Sequence, residues 1–221
     1  MIKRIVFATG NAGKMKEIRA ILADLGLEVL SMKDVGVSAD IEEDGSTYEE
    51  NALIKSRAVA AGLRKDGLLE GTVVMADDSG LEIDFLNREP GVYSARYMGE
   101  DTSYRIKNAN LIERLEGVED ERRGARFVCA IAAVLPDGHE LTSRGVIEGR
   151  IGYEEKGENG FGYDPIFYVP EFGRTTAELT EAEKNRVSHR GHALRLMKEQ
   201  LKEFTEGKNS PQSGEAGERI S

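Results

Sequence analysis

The opening stretch of the chain constrains its fold more than any other feature. An apolar run from Ile2 to Ala8 stops at Thr9-Gly10-Asn11, and apolar residues return at Met15, Ile18, Ile21, Leu22 and Leu25. A short continuous apolar run reads as a buried strand, and the spacing after it reads as one face of a helix. Gly26 stands where a C-cap glycine would end that helix. Strand, glycine loop and helix in succession are an α/β opening.

The rest of the chain continues in this manner. Leu27 to Leu30 reads as a second strand, and Ser38 to Ser46 as an acidic loop. Thr47-Tyr-Glu-Glu50 has the form of a capping box ahead of an alanine-rich helix running to about Arg64. Thr72 to Ala76 is a third apolar run that the sequence breaks at Asp77-Asp78-Ser79-Gly80, with Leu81 to Leu86 resuming a strand pattern. A turn at Asn87–Gly91 and a helix from Tyr104 to Leu115 follow. Arg126 to Leu135 and Glu140 to Ile147 flank Pro136-Asp-Gly-His139 and read as a hairpin, and Ile166 to Val169 is short and apolar. Thr180-Glu-Ala-Glu183 is a second capping box, opening one helix that ends near Phe204. Residues 205–221 hold one large apolar residue, Ile220, among Gly, Ser and Glu, a composition that predicts a disordered tail. The expected class is α/β with a mixed sheet flanked by helices, over residues 1–204, a length that suits one domain or two lobes sharing a sheet.

Composition limits the partners. Acids outnumber bases 40 to 30, for a net charge of −10, which argues against binding nucleic acid through diffuse basic charge. A phosphate ligand would need Lys, Arg or a metal placed locally. The single Cys129 forbids an intrachain disulfide or a cysteine zinc cage and suits a reducing compartment. No apolar run approaches the roughly 18 residues of a membrane span, and MIKRIVFATGN lacks the pattern of a signal peptide. These readings lead to the expectation of a soluble, cytoplasmic protein.

Several stretches are able to carry chemistry. Thr9-Gly10-Asn11-Ala12-Gly13-Lys14 lies between strand and helix, where backbone N–H groups and the helix dipole favour an anion. It is not a Walker A loop, which would need Gly at Ala8 and Ser or Thr at Met15; the bland alternative is an ordinary turn with a surface lysine. At Asp77-Asp78-Ser79-Gly80 adjacent side chains point to opposite faces, so one aspartate faces a site and the other supports it. Such carboxylates hold Mg²⁺ on phosphates or take a proton from water; a polar turn is the alternative. Gly160-Phe161-Gly162-Tyr163-Asp164-Pro165 sets a ring between glycines, which suits stacking on a base or simply a glycine turn with core aromatics. Lys184 can meet phosphate, and His189 and Arg190 can donate to a ring oxygen, against the alternative of a solvated helix face. His189 and His192 share a helical face without a third metal ligand nearby. Of the acidic loop, Glu43 or Glu42 could join Asp78 on Mg²⁺.

These stretches, in this order, resemble the inosine/xanthosine triphosphate pyrophosphatases, the Ham1-like or RdgB-like family. The resemblance rests on Thr9-Gly-Asn-x-Gly-Lys14, Glu49-Glu-Asn-Ala52, Asp77-Asp-Ser-Gly-Leu81, Pro90-Gly-x-Tyr-Ser-Ala-Arg96, Phe161-Gly-Tyr-Asp-Pro-Ile-Phe167 and Ser188-His-Arg190, and spans residues 2–204. It implies an elongated mixed sheet in two lobes with a nucleotide cleft between them, commonly a homodimer. It also implies Mg²⁺-dependent hydrolysis of ITP, dITP and XTP to the monophosphate and pyrophosphate. By residue it implies Asp78 as proton acceptor and Mg²⁺ ligand, Glu43 as the second ligand with Glu42 as the fallback, and Thr9 to Lys14 around the triphosphate. Ser79, Phe161 to Asp164, Lys184, His189 and Arg190 would hold nucleotide. Two rivals are a Maf-like nucleotide pyrophosphatase, against which Ser188-His-Arg190 speaks, and a silent nucleotide sensor, against which Asp77-Asp78 speaks.

Overall fold

The computed structural model describes residues 2–37, 41–205 and 207. The tail from 208 onward and residues 38–40 of the acidic loop lie outside the described residues. One open sheet of seven strands runs through the molecule in the order β2-β1-β3-β4-β5-β6-β7. Its strands are β1 (Arg4–Phe7), β2 (Glu28–Ser31), β3 (Thr72–Ile83), β4 (Gly124–Val134), β5 (Glu140–Ile151), β6 (Phe167–Val169) and β7 (Arg174–Thr175). β1 pairs in parallel with β2 and β3, and every pairing from β3 onward is antiparallel, so the sheet is mixed. Five α-helices flank it: α1 (Ala12–Leu22), α2 (Tyr48–Lys65), α3 (Tyr104–Arg114), α4 (Glu181–Val187) and α5 (His189–Thr205). Among the described residues no helix is long and apolar enough to cross a membrane.

The period of the strands sorts the core into faces. Val73 and Met75 of β3 join Ile5 and Phe7 of β1 under α1 and α5, through Ile18, Leu22, Leu194 and Met197. Val74 and Ala76 point the other way and meet Val59, Ala60 and Leu63 of α2. Farther along, Leu81 and Ile83 belong to a separate apolar cluster built with α3, Tyr163 and Phe167. Asp77 and Ser79 fall between those two clusters, on the face that α1 and α5 cover first and α3 covers later.

Two expectations are corrected. The sequence breaks β3 at the aspartates, yet β3 runs unbroken for 12 residues because its ladder to β4 continues through Asp77↔Ile131, Asp78↔Ala130 and Ser79↔Cys129. Backbone pairing does not depend on side-chain polarity when each carboxylate finds a partner off the sheet. Nor is there one helix from Thr180 to Phe204. Ser188 is extended (ψ 150°), and its Oγ accepts from the Gly191 N–H at 3.0 Å, so the serine ends α4 and caps α5.

Candidate active site

β1 ends at Phe7, opposite Met75, and the chain leaves the sheet through Thr9–Asn11. From there to Leu81 no described strand pairs with β3 on that side, so the edge carrying Asp77 and Asp78 is open. The site lies beyond the carboxyl end of a parallel strand, where open α/β sheets place ligands. Adjacent positions deliver one carboxylate to each face of that edge.

Asp77 faces α1 and α5. Its Oδ2 meets Lys14 Nζ at 2.9 Å and accepts from Ser79 Oγ at 3.0 Å and from Arg190 Nη2 at 3.3 Å. Its Oδ1 is buried without a partner among the described residues. Burial alone would raise this carboxyl, but Lys14, Arg190 and Lys55 hold it far below the ordinary carboxylate range. The charges continue outward: Glu17 on α1 accepts from Arg190 and pairs with Lys184 at 2.8 Å, and Lys184 pairs with Asp164 at 2.7 Å. Burying so many charges together is tolerated because each is paired and hydrogen-bonded.

Asp78 faces α2. Asn51 Nδ2 donates to its Oδ2 at 3.1 Å, and Lys55 Nζ lies 3.5 Å from Oδ1. The same ammonium donates to Glu43 Oε2 at 2.8 Å. Burial raises the Asp78 carboxyl above its ordinary value; Lys55 and Asn51 act against that, and Glu43 adds to it. Glu42, the fallback ligand, is exposed.

The phosphate-loop expectation meets a suitable geometry. Asn11 caps α1 by accepting from the Lys14 N–H at 3.0 Å, and Thr9 Oγ1 accepts from the Asn11 N–H at 3.2 Å. Ala12 and Gly13 form the first turn of the helix. A Cβ on Gly13 would stand 3.1 Å from the Phe161 ring, so a larger residue there would push the ring outward by a few tenths of an ångström. Gly160, with φ at +77°, lets its loop fold over Asp164, whose Oδ2 accepts from the Phe161 N–H at 2.8 Å.

Lys14, Ser79, Phe161, Gly162, Tyr163, Asp164, Lys184, His189 and Arg190 come together around a cavity of about 190 Å³, which Asn11 also lines. His189 is buried and stacks on Phe127 with centroids 4.9 Å apart. Burial, with Arg190 and Lys184 nearby, pushes its imidazole well below the ordinary value, so the ring is neutral at pH 7. His192 turns away, its Nδ1 3.1 Å from the Val146 carbonyl. Glu43 and Asp78 stand apart from this cavity, on the α2 side of the same edge.

Lys55, Glu17 and Tyr104 escaped the sequence reading. Lys55 follows Asn51 by one helical turn, so the two share a face of α2, and Glu17 stands in the same relation to Lys14 on α1. That spacing was the available signal. Among the described residues no group of three or more His, Cys, Asp or Glu side chains gathers around one metal position. Two carboxylates sharing one ammonium nevertheless suit a magnesium ion, which takes one or two protein carboxylates and completes its shell with water and phosphate oxygens.

Comparison with known proteins places this chain in a family. The sequence profile of the Ham1 family matches residues 5–200. The chain is 49% identical to a dITP/XTP pyrophosphatase of Exiguobacterium sibiricum over 91% of its length and 98% of the relative's. It is 45% identical to the dITP/XTP pyrophosphatase of Bacillus subtilis, with the same coverage. The structure is similar to the Staphylococcus aureus Ham1 protein (TM-score 0.77, 42% identity, 94% of this chain and 100% of that one). It is equally similar to a HAM1 protein from Coxiella burnetii (TM-score 0.78, 43% identity, 92% and 100%). Similarity of this extent, over the whole sheet and the site, shows that the chain belongs to the Ham1 family.

Proposed function

We propose that this chain hydrolyses purine nucleoside triphosphates of the dITP and XTP type, ITP included, to the monophosphate and pyrophosphate. The observation that carries the reading is the pair of adjacent carboxylates on the open edge of β3, one locked among cations and the other free to act. Asp77 holds Lys14 and Arg190 in place, and Asp78 faces the gap with only Asn51 and Lys55 upon it. In this reading Asp78 accepts the proton of a water whose oxygen attacks the α-phosphorus, and pyrophosphate leaves as the bond from that phosphorus to the bridging oxygen breaks. Lys14 and the N-terminus of α1 hold the triphosphate on one side of the edge, and Lys55 meets it from the other. Magnesium, held by Asp78 and Glu43, would supply positive charge to the phosphate oxygens when bound. The base would enter the cavity between Phe161–Asp164 and His189. A homodimer and a cytoplasmic setting belong to the same proposal.

The test is incubation with ITP, dITP, XTP, GTP, ATP and dTTP plus Mg²⁺, with pyrophosphate and orthophosphate measured separately. Pyrophosphate from ITP, dITP and XTP, with little from GTP or ATP, is the expected result. Orthophosphate as the main product, or equal turnover of all the nucleotides, would overturn the proposal.

A further inference from the structure

Two walls of the cavity, Ser94–Ala95 and the loop of Phe161–Asp164, have their carbonyls engaged from behind. On one wall the carbonyl of Ser94 accepts from Tyr163 Oη at 2.7 Å, and that of Ala95 accepts from Lys107 Nζ at 2.7 Å. On the facing loop the Gly162 carbonyl accepts from Asn108 Nδ2 at 3.3 Å, and the Asp164 carbonyl from Thr176 Oγ1 at 3.1 Å. The Phe161 and Tyr163 carbonyls accept from the N–H groups of Asp164 and Ile166. The Asp164 carboxylate is engaged as well, by Lys184, Thr176 and the Phe161 N–H. By contrast, the N–H groups of Gly162 and Tyr163 donate to no acceptor among the described residues.

Lys107 is the informative member of this set. It is 1% exposed and has no ion-pair partner among the described residues. Its ammonium has the Ala95 carbonyl and, 5.0 Å from the ring centroid, the face of Tyr104, which lines the cavity. A lysine is rarely buried without a carboxylate, because desolvating its charge is costly. Asn108, next in sequence and also 1% exposed, donates to Glu155 Oε1 at 2.7 Å and, at 3.3 Å, makes the matching contact to the Gly162 carbonyl of the opposite wall. A carbonyl that already accepts from a buried donor is less available to an amino group of a ligand. An oxo group entering between these walls meets the free N–H groups, whereas an amino group finds the wall carbonyls already engaged.

We propose that Lys107 and Asn108 are positioning residues for base selection, which by engaging the Ala95 and Gly162 carbonyls refuse purines that carry amino groups. Hypoxanthine and xanthine are admitted on this account, while guanine and adenine are excluded. The inference rests on the proposed triphosphate hydrolysis and adds to it the means of discrimination.

The experiment compares kcat/KM for ITP and GTP in the wild type and in Lys107→Met, Asn108→Leu and Lys107→Arg, with thermal melts to establish which variants are folded. Freeing a carbonyl in either of the first two should raise the GTP-to-ITP ratio about tenfold, while Lys107→Arg, which keeps a donor, stays near the wild-type ratio. If Lys107→Met does not fold, Asn108→Leu, which removes no charge, decides the matter. A ratio within about twofold of wild type in folded Lys107→Met or Asn108→Leu, or an equal fall for both substrates in either, overturns the inference. A wild-type enzyme that prefers ITP with flat ratios in the variants leaves the hydrolysis standing and overturns only the selection mechanism. A wild type that hydrolyses no ITP overturns both.

Discussion

Replacing each of the two adjacent aspartates by asparagine should separate stability from turnover. Asp77 is 1% exposed and neutralises Lys14 and Arg190, which is itself 2% exposed. Breaking a buried ion pair by removing one partner costs about 3–5 kcal/mol. Arg190 keeps Glu17, and an asparagine oxygen still accepts from Ser79, so Asp77→Asn belongs at the lower end, about 3 kcal/mol. For a domain of this size each kcal/mol moves Tm by about 2–4 °C, which gives a fall of about 6–12 °C. Asp78 differs, because burial and Glu43 already oppose its charge, and Lys55 keeps Glu43 after the substitution. Asp78→Asn should therefore shift stability by less than about 1 kcal/mol yet lower kcat by about 10²- to 10⁴-fold, the usual loss for a general base. Calorimetric melts of the two variants beside pyrophosphate release from ITP at saturating Mg²⁺ make the comparison. The reasoning is refuted if Asp77→Asn melts with the wild type, or if Asp78→Asn turns over ITP at a near-wild-type rate.

Other expectations follow from the same contacts. Lys55→Met leaves Asp78 and Glu43 without their shared ammonium, so added Mg²⁺ should raise the variant's Tm by more than it raises the wild type's; equal shifts would remove the metal from these two residues. His189, held neutral by burial and by Arg190, Lys184 and Lys14 against the opposing Asp77, has a folded pKa below the ordinary 6.5. The unfolded chain therefore takes up its proton first, and stability should fall below pH 6.5 by at most about 1.4 kcal/mol per pH unit. A His189→Asn variant should lack that slope in urea titrations between pH 7.5 and 5.5, and an unchanged slope would place its origin elsewhere. Light scattering on the eluting protein should give the mass of two chains, and the mass of one would end the homodimer proposal.

How far these features are legible in the sequence depends on whether their causes are local. The helix starts were legible because capping boxes are short-range: Thr47 with Glu50 and Thr180 with Glu183 both form reciprocal bonds. The alternation of Asp77 and Asp78 was legible because a strand has period two. The continuity of β3 was not, since what keeps two carboxylates within a buried strand is Lys14 and Arg190 on one side and Asn51 and Lys55 on the other, all contributed by helices. Ser188 misled for a related reason. A serine inside a helical pattern reads as tolerated, but a Cβ on Gly191 would stand 2.3 Å from the Asn185 carbonyl, so that approach decides where one helix stops and the next begins. Lys55, Lys107 and Asn108 look like the solvated faces of helices, and only the tertiary placement of α2 and α3 shows them buried or half-buried against the site.

The shortness of β1 ties the architecture to the chemistry. β1 offers four residues to β3, which is 12 residues long, and the unmatched length of β3 begins where the aspartates stand. A longer β1 would pair that edge and cover it; a shorter one would leave Met75 and its neighbours without the strand that completes their cluster. On an open edge a phosphate chain can be met from both sheet faces at once, from Lys14 and the N-terminus of α1 on one and from Lys55 of α2 on the other. That arrangement places one carboxylate on each face, which adjacent strand residues provide at one point along the edge. Two aspartates separated by a single residue would share a face, competing for Lys14 and Arg190 and leaving Lys55 with Glu43 alone. Ser79, next in line, returns to the Asp77 face and bonds to it, and Gly80 keeps the α2 face clear, where a Cβ would stand 2.2 Å from the Gly91 carbonyl. The order Asp-Asp-Ser-Gly is thus a strand read across both of its faces: anchor, proposed base, support for the anchor, and the space through which the Pro90–Arg96 segment closes on the site.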